Sequence, residues 1–419
     1  MRQGPTDWSE ARLGQVCRVV SGGTPRTGDS RFWGGEVAWL TPSDMSRDRS
    51  QTVLSGERSL TVLGLESSSA QLFPAGSIIV SSRAPIGYVA IAGREMCTSQ
   101  GCKTAVPPDF IDSRFLYWFL VSATPDLQAR ASGTTFQEIS SRRFAETQLR
   151  WPIVAEQRQI VEILEDHLSR LDAAETYVAQ VERRLAQLRR SALDLNFGGG
   201  NDQIALEHLV TRIEAGRSFG GSNRPAEPDE WGIIKVSAMT WGDFNPAENK
   251  SIPARLANPR FEIHEGDLLV SRANTNEYVG ASVLVGPVRS RLLLSDKSLR
   301  LIPRAGVSPM WLWRTLQSPA VRQQISALAT GTKDSMRNIS QSALLSVRVP
   351  QVSELAQQDA VVRFDALADS LRSQGRAASL TRRRGSALRR AVLAAAFEGK
   401  LTGRHTDAEI IEEKADGER

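Results

Sequence analysis

The chain has 419 residues, 41% of them hydrophobic, with 52 Lys plus Arg against 47 Asp plus Glu. That composition is ordinary for a globular protein of two or three domains, and its mild basic excess permits a polyanionic partner without requiring one. No apolar run is long enough for a membrane span and no signal-peptide core follows Met1; three scattered cysteines, Cys17, Cys97 and Cys102, make neither a disulfide framework nor a four-ligand zinc site, so the expected setting is a reducing cytoplasm.

Residues 1–151 read as a first globular unit of mixed α and β structure. Leu13 to Val20 suggests a helical turn or short strand entering the loop SGGTPRTGDSRFWGG, followed by the strand candidate EVAWLT. GSIIVSSRAPIGYVAIA predicts two strands around a turn that carries Arg83, and SRFLYWFLVS predicts a buried helix. A glycine turn, Ser132 to Phe136, precedes the passage into residues 152–198. This next stretch has no Pro or Gly between Ala155 and Phe197. Its apolar residues form two seven-residue series: Leu164, Leu171, Val178, Leu185, Ala192, and Ile160, Ala174, Val181, Leu188, Leu195, with His167 as the polar exception. Such a seam predicts a coiled-coil helix of roughly 60 Å that needs a partner.

Residues 199–350 repeat the first order of elements. Gly266 to Val285 (GDLLVSRANTNEYVGASVLV) matches the strand–turn–strand, with Arg272 in the place of Arg83, and Thr330-Gly331-Thr332 matches Ser132-Gly133-Thr134. Residues 351–399 supply the partner helix: Phe364, Leu371, Ala378 and Val392 each lie 200 residues beyond a member of the first seam, and Arg389-Arg390, Leu393 and Phe397 match Arg189-Arg190, Leu193 and Phe197. Residues 400–419 are charged and aperiodic and are expected to be disordered. The fold class expected is α+β: two mixed α/β units in tandem repeat, separated by two long coiled-coil helices that partner each other.

At this point the residues resemble the specificity subunit of type I restriction-modification enzymes. SGGTPRTGDSRFWGG with EVAWLTPSDM, GDLLVSRA, the SGTT and TGT turns, and the helix ends LRRSALDLNF and LRRAVLAAAFEGKL carry the resemblance, in the same order twice. It implies two target recognition domains held apart by two long antiparallel helices, each domain reading half of a split site in double-stranded DNA. It also implies docking by two modification (methyltransferase) subunits and by restriction (motor-nuclease) subunits. S-adenosylmethionine, ATP and Mg would belong to those partners, with no cofactor in this chain. The sequence departs from the family in Gly375 and Gly385, which bear on the straightness of the second helix.

Candidate DNA contacts follow from residue type and place. Arg83 and Arg272 sit at turn tips, where Arg can hold phosphate or guanine; Tyr88 and Tyr278 follow on similar turns and suit stacking. Asn274 and Asn276 can pair with adenine. Thr134, Thr135, Thr332 and Lys333 lie on glycine turns suited to phosphate. The loop arginines Arg26, Arg31, Arg217 and Arg224 are of the same type. Arg189, Arg190, Arg389 and Arg390 are candidates for docking a partner. Pro228-Asp229 with Glu248-Asn249-Lys250 spells a metal-dependent nuclease signature, but no strand pattern surrounds Glu248, and a chance match is expected. The remaining rivals are thus an endonuclease built on those residues and a coiled-coil adaptor without DNA binding.

Overall fold

The computed structural model describes residues 8–83, 85–133, 137–200, 202–218, 224–240, 242–331, 333 and 336–402. The chain divides into two compact units, Met1–Val178 with Leu380–Arg419, and Ala179–Ser379. The expected tail lies outside the described residues beyond Thr402.

In the first unit the runs of β-branched residues become strands: β1 Arg18–Ser21, β2 Trp33–Leu40, β3 Ile78–Ser82, β4 Ile86–Ala92 and β5 Cys102–Val106. All five residues of β3 are buried, as a central strand covered on both faces requires. The main sheet runs β1-β5-β3-β4 and ends on Thr52–Val53; only that last pairing is parallel. β2 belongs to a second small sheet with Ser59–Leu60 and Cys97–Thr98. The SRFLYWFLVS run is helical from Ser113 to Ser122, started by the Asp112 carboxylate, which accepts from the Arg114 and Phe115 N–H groups. Its apolar face, Phe115, Leu116, Phe119 and Leu120, is buried. Complete burial of each such side chain stabilises by about 1.5–3 kcal/mol.

The second unit repeats this frame with β6 Val210–Ala215, β7 Gly232–Ile234, β8 Leu268–Ser271, β9 Ser282–Leu284 and β10 Ser298–Pro303. Its main sheet runs β6-β10-β8-β9, and β7 lies in a three-stranded sheet between Asn249–Ser251 and Leu292–Leu293. One buried cation is specific to this copy. Arg300 on β10 pairs with Glu214 at 3.0 Å and Asp267 at 2.7 Å, and also donates to the Glu262 and Arg260 carbonyls.

Two helices of 44 residues, Val154–Phe197 and Glu354–Phe397, contribute to both units. Gly375 and Gly385 lie within the second helix, which continues through them. In the first unit Ile160, Val161, Leu164 and Leu168 pack with Val392, Ala395 and Ala396. In the second unit Ala192, Leu193 and Phe197 share a core with Ala360, Phe364 and Ala368. The start of each helix therefore meets the end of the other, an antiparallel pairing. The repeated terminal phenylalanines are anchors: Phe197 meets Phe364 edge-on at 5.5 Å, and Phe397 meets Phe115 edge-on at 5.3 Å. The second apolar series does not form a seam along its length. Leu188 is 55% exposed and Leu195 is 86% exposed. A helix of 3.6 residues per turn drifts about 20° per heptad against a strict seven-residue repeat. By the last turns the buried stripe has moved to Ala192, Leu193 and Phe197.

Each helix start is fastened by a buried glutamine that sequence reasoning missed. The Gln157 amide donates to the Phe110 and Pro152 carbonyls, both at 2.9 Å, and accepts from the Asp112 N–H at 2.8 Å. Gln357, 200 residues on, donates to Gly306 and Val352 and accepts from the Ser308 N–H at 2.8 Å. Asp112 and Ser308 are the N-caps of the buried helices Ser113–Ser122 and Pro309–Gln317. The signal in the sequence was an identical polar residue at the same place in both repeats.

Candidate nucleic-acid interface

The candidate contacts gather at the end of β3 in the first unit and of β8 in the second. Hydrogen-bond register shows how these ends correspond. Ile139 donates to the Ser82 carbonyl, and Ile339 donates to the Arg272 carbonyl. Arg83 forms a backbone bridge with Glu138, and Ala273 pairs with Asn338. Arg272 therefore stands in the place of Ser82, one residue from the match to Arg83 that sequence similarity suggested. Side chains alternate along a strand, so this slip puts the two arginines on different faces of the same tip.

In the first unit Arg83 Nη1 lies 3.9 Å from Glu138, and Lys103 Nζ lies 3.8 Å from the same carboxylate. Lys103, on β5, was not anticipated as part of a site; its side chain is only 8% exposed. Burial pushes its ammonium below the ordinary lysine range, while the Glu138 charge draws it back up. Tyr88 stacks under Arg49 at 3.9 Å, with its hydroxyl 3.4 Å from that of Ser46, so its ring is already occupied. Arg31 pairs with Asp29 at 2.7 Å and holds that carboxyl below its ordinary range; Arg26 is exposed. Thr134 and Thr135 lie outside the described residues.

In the second unit Arg272, Asn274, Asp296, Lys297, Arg337 and Asn338 line much of a cleft of about 670 Å³. Asn276 is exposed and Tyr278 is half-buried beside it. Arg337 ties down the turn, donating to the Gly331 carbonyl at 3.0 Å and to that of Ala329 at 2.6 Å. Gly331 has φ +139°, and a Cβ there would meet the Met336 carbonyl oxygen at 2.3 Å, which accounts for the glycine of the TGT turn. Lys333 is exposed on this loop, and Thr332 lies outside the described residues. Arg217 is exposed with its guanidinium 6.0 Å from the Phe261 ring, and Arg224 is bound to Glu230 at 2.6 Å.

The nuclease-like residues are not brought together. Ile234 pairs with Asn249 and Gly232 with Ser251, so Glu248 and Asp229 fall beyond opposite ends of that strand pair. Glu248 accepts from the Ser237 hydroxyl at 2.6 Å. Among the docking candidates Arg189 and Arg190 are exposed, whereas Arg389 is bound to Asp172. No helix among the described residues is long and apolar enough to cross a membrane.

Residues 5–183 match the family described as the type I restriction modification DNA specificity domain. The MjaIX specificity subunit of Methanocaldococcus jannaschii, a type I restriction enzyme subunit, is 34% identical over 162 residues, 38% of this chain and 38% of that protein. The match thus spans well under half the length of that relative. The type I restriction enzyme EcoBI specificity subunit of Escherichia coli is 25% identical over 334 residues, 72% of this chain and 68% of that protein. A solved structure from work on complex assembly and conformational transition of the type I R-M system superposes with a TM-score of 0.78 at 20% identity, covering 96% of this chain and 100% of that one. That likeness establishes the fold. Residues 5–183 thus match a type I restriction modification DNA specificity domain, and the chain as a whole, with its doubled frame, is similar to the specificity subunits of type I restriction enzymes.

Proposed function

We propose that this chain is a non-catalytic subunit that reads a bipartite site in double-stranded DNA and directs partner subunits to it. The boundaries suggested by the sequence suit this role: residues 1–151 and 199–350 as the two readers, and 152–198 and 351–399 as the helices that link them. The observation that carries the reading is the repeated sheet whose equivalent strand ends present different polar groups: Arg83, Lys103 and Glu138 in one copy, Arg272, Lys297 and Asn338 in the other. A shared scaffold with unlike tips suits two readers of unlike half-sites, with phosphate contacts for register and base contacts for sequence.

Adenine methylation would fall to two modification subunits using S-adenosylmethionine, and cleavage to restriction subunits using ATP and Mg, all in the cytoplasm. Arg189 and Arg190, exposed on the first long helix, are the best placed to dock such a partner. The test is expression with the modification subunit, followed by mapping of methylated adenines by single-molecule sequencing. Exchange of residues 1–151 for the equivalent unit of a relative should alter one half of the methylated site. Alteration of both halves would refute separate readers, and DNA cleavage by the chain alone would refute a non-catalytic role.

A further inference from the structure

The register that puts Arg272 on Ser82 also aligns the turns leading into β5 and β10. Cys102 donates to the Ser99 carbonyl and Ser298 to that of Ser295, both at 3.1 Å. Ser82 donates to the Gly101 carbonyl at 2.7 Å, and Arg272 to that of Lys297 at 2.8 Å. Ser81 pairs with Cys102, and Ser271 with Ser298. A glycine lies against each turn: a Cβ on Gly22 would meet the Ser99 carbonyl oxygen at 2.0 Å, and one on Gly216 would meet that of Ser295 at 2.4 Å. Gln100 in the first unit and Asp296 in the second therefore hold one structural position on a shared backbone. Both are exposed. The Gln100 carboxamide oxygen accepts from the Thr24 hydroxyl, and its NH2 has no partner among the described residues. Asp296 lines the cleft that also holds Asn274 and Asn338, and among the described residues it has no hydrogen bond or ion pair.

We propose that this position reads one base in each half-site and does so with opposite chemistry, Gln100 as a donor and Asp296 as an acceptor. This rests on the reading of the chain as a DNA-binding subunit. An ionised aspartate has acceptors only. It gains nothing from a phosphate, but in the major groove it can accept from the amino group of cytosine or adenine. Gln100, with its oxygen held by Thr24, offers N–H instead, which suits guanine N7 and O6, adenine N7 or thymine O4. The common backbone of the turn sets the reach, and the side chain alone sets the polarity of the base edge it accepts.

Two exchanges of nearly constant size test this on exposed positions where folding is not at stake: Asp296→Asn, and Gln100→Glu, which keeps an oxygen for the Thr24 hydroxyl. The full chain, assembled with the modification subunit, is mapped for methylated adenines and then titrated with duplexes of the mapped site substituted one base pair at a time. Asp296→Asn should lose about tenfold discrimination at one base pair of one half-site, and Gln100→Glu about as much at one base pair of the other, as expected for a single base contact. A duplex whose base at the Asp296 position lacks its amino group should bind the wild-type complex about tenfold more weakly, and the Asp296→Asn complex with no such loss. Unchanged selectivity in either variant would overturn the proposal. So would an Asp296→Asn complex that binds every duplex more tightly by the same factor, because the carboxylate would then only repel phosphates. A wild-type complex that fails to bind the duplex at all would instead refute the DNA-reading function.

Discussion

Gln157→Ala should destabilise the first unit far more than a polar residue near a helix start normally does. The side chain is fully buried and makes three hydrogen bonds to main-chain groups. Each such bond contributes about 1 kcal/mol net, and each partner left buried and unsatisfied adds to the cost. Three bonds give about 3 kcal/mol. For a unit of this size about 2–4 °C is lost per kcal/mol, so the first unit should melt about 6–12 °C lower. Gln157→Met keeps most of the volume without the amide and should lose nearly as much, which separates hydrogen bonding from cavity formation. Scanning calorimetry of the full chain reads the shift, and hydrogen exchange at the Asp112 amide, which donates to Gln157, reads its origin. A loss below about 1 kcal/mol, or unchanged protection at Asp112, would refute the clamp. Gln357→Ala should produce the corresponding change in the second unit through the Ser308 amide.

Arg300→Ala leaves Glu214 and Asp267 partly buried without their cation, and should cost the second unit about 3–5 kcal/mol by urea denaturation. A cost under 1 kcal/mol would show that water replaces the guanidinium freely. Burial pushes the Glu214 carboxyl up, but hydrogen bonds from Arg212 and Arg300 and their charges outweigh it, and the group is held below its ordinary value of 4.5. Its folded pKa is depressed, so its stabilisation is complete above about pH 4.5 and is lost as pH falls through the folded value. Glu214→Gln should therefore flatten the decline of the urea midpoint below pH 4.5, and an unchanged decline would assign it to other carboxylates. Leu188→Gln and Leu195→Gln should each stay within about 0.5 kcal/mol of wild type, as surface changes do; losses above about 2 kcal/mol would show that both side chains are packed in solution.

Much of the architecture was legible in the sequence because it depends on local pattern repeated twice. Seven-residue spacing and the absence of proline determined two long helices, and matched end motifs determined that both close on a phenylalanine. The order of strands, turn and buried helix recurred 200 residues apart strongly enough to identify two like units and the family they resemble. What the sequence alone left open was which groups meet. Lys103 lies at the first tip only because β5 pairs with β3, a contact across more than 20 residues that no spacing rule marks. Arg272 was matched to Arg83 as the arginine of the corresponding strand–turn–strand, whereas hydrogen bonds from Ile139 and Ile339 put it on Ser82. A one-residue slip barely changes sequence similarity, yet it turns a side chain to the opposite face of a strand. The helix faces were decided in the same way: Leu188 and Leu195 keep the repeat, but the packing of Phe197 and Leu193 in the second unit's core determines which side of the helix is inside.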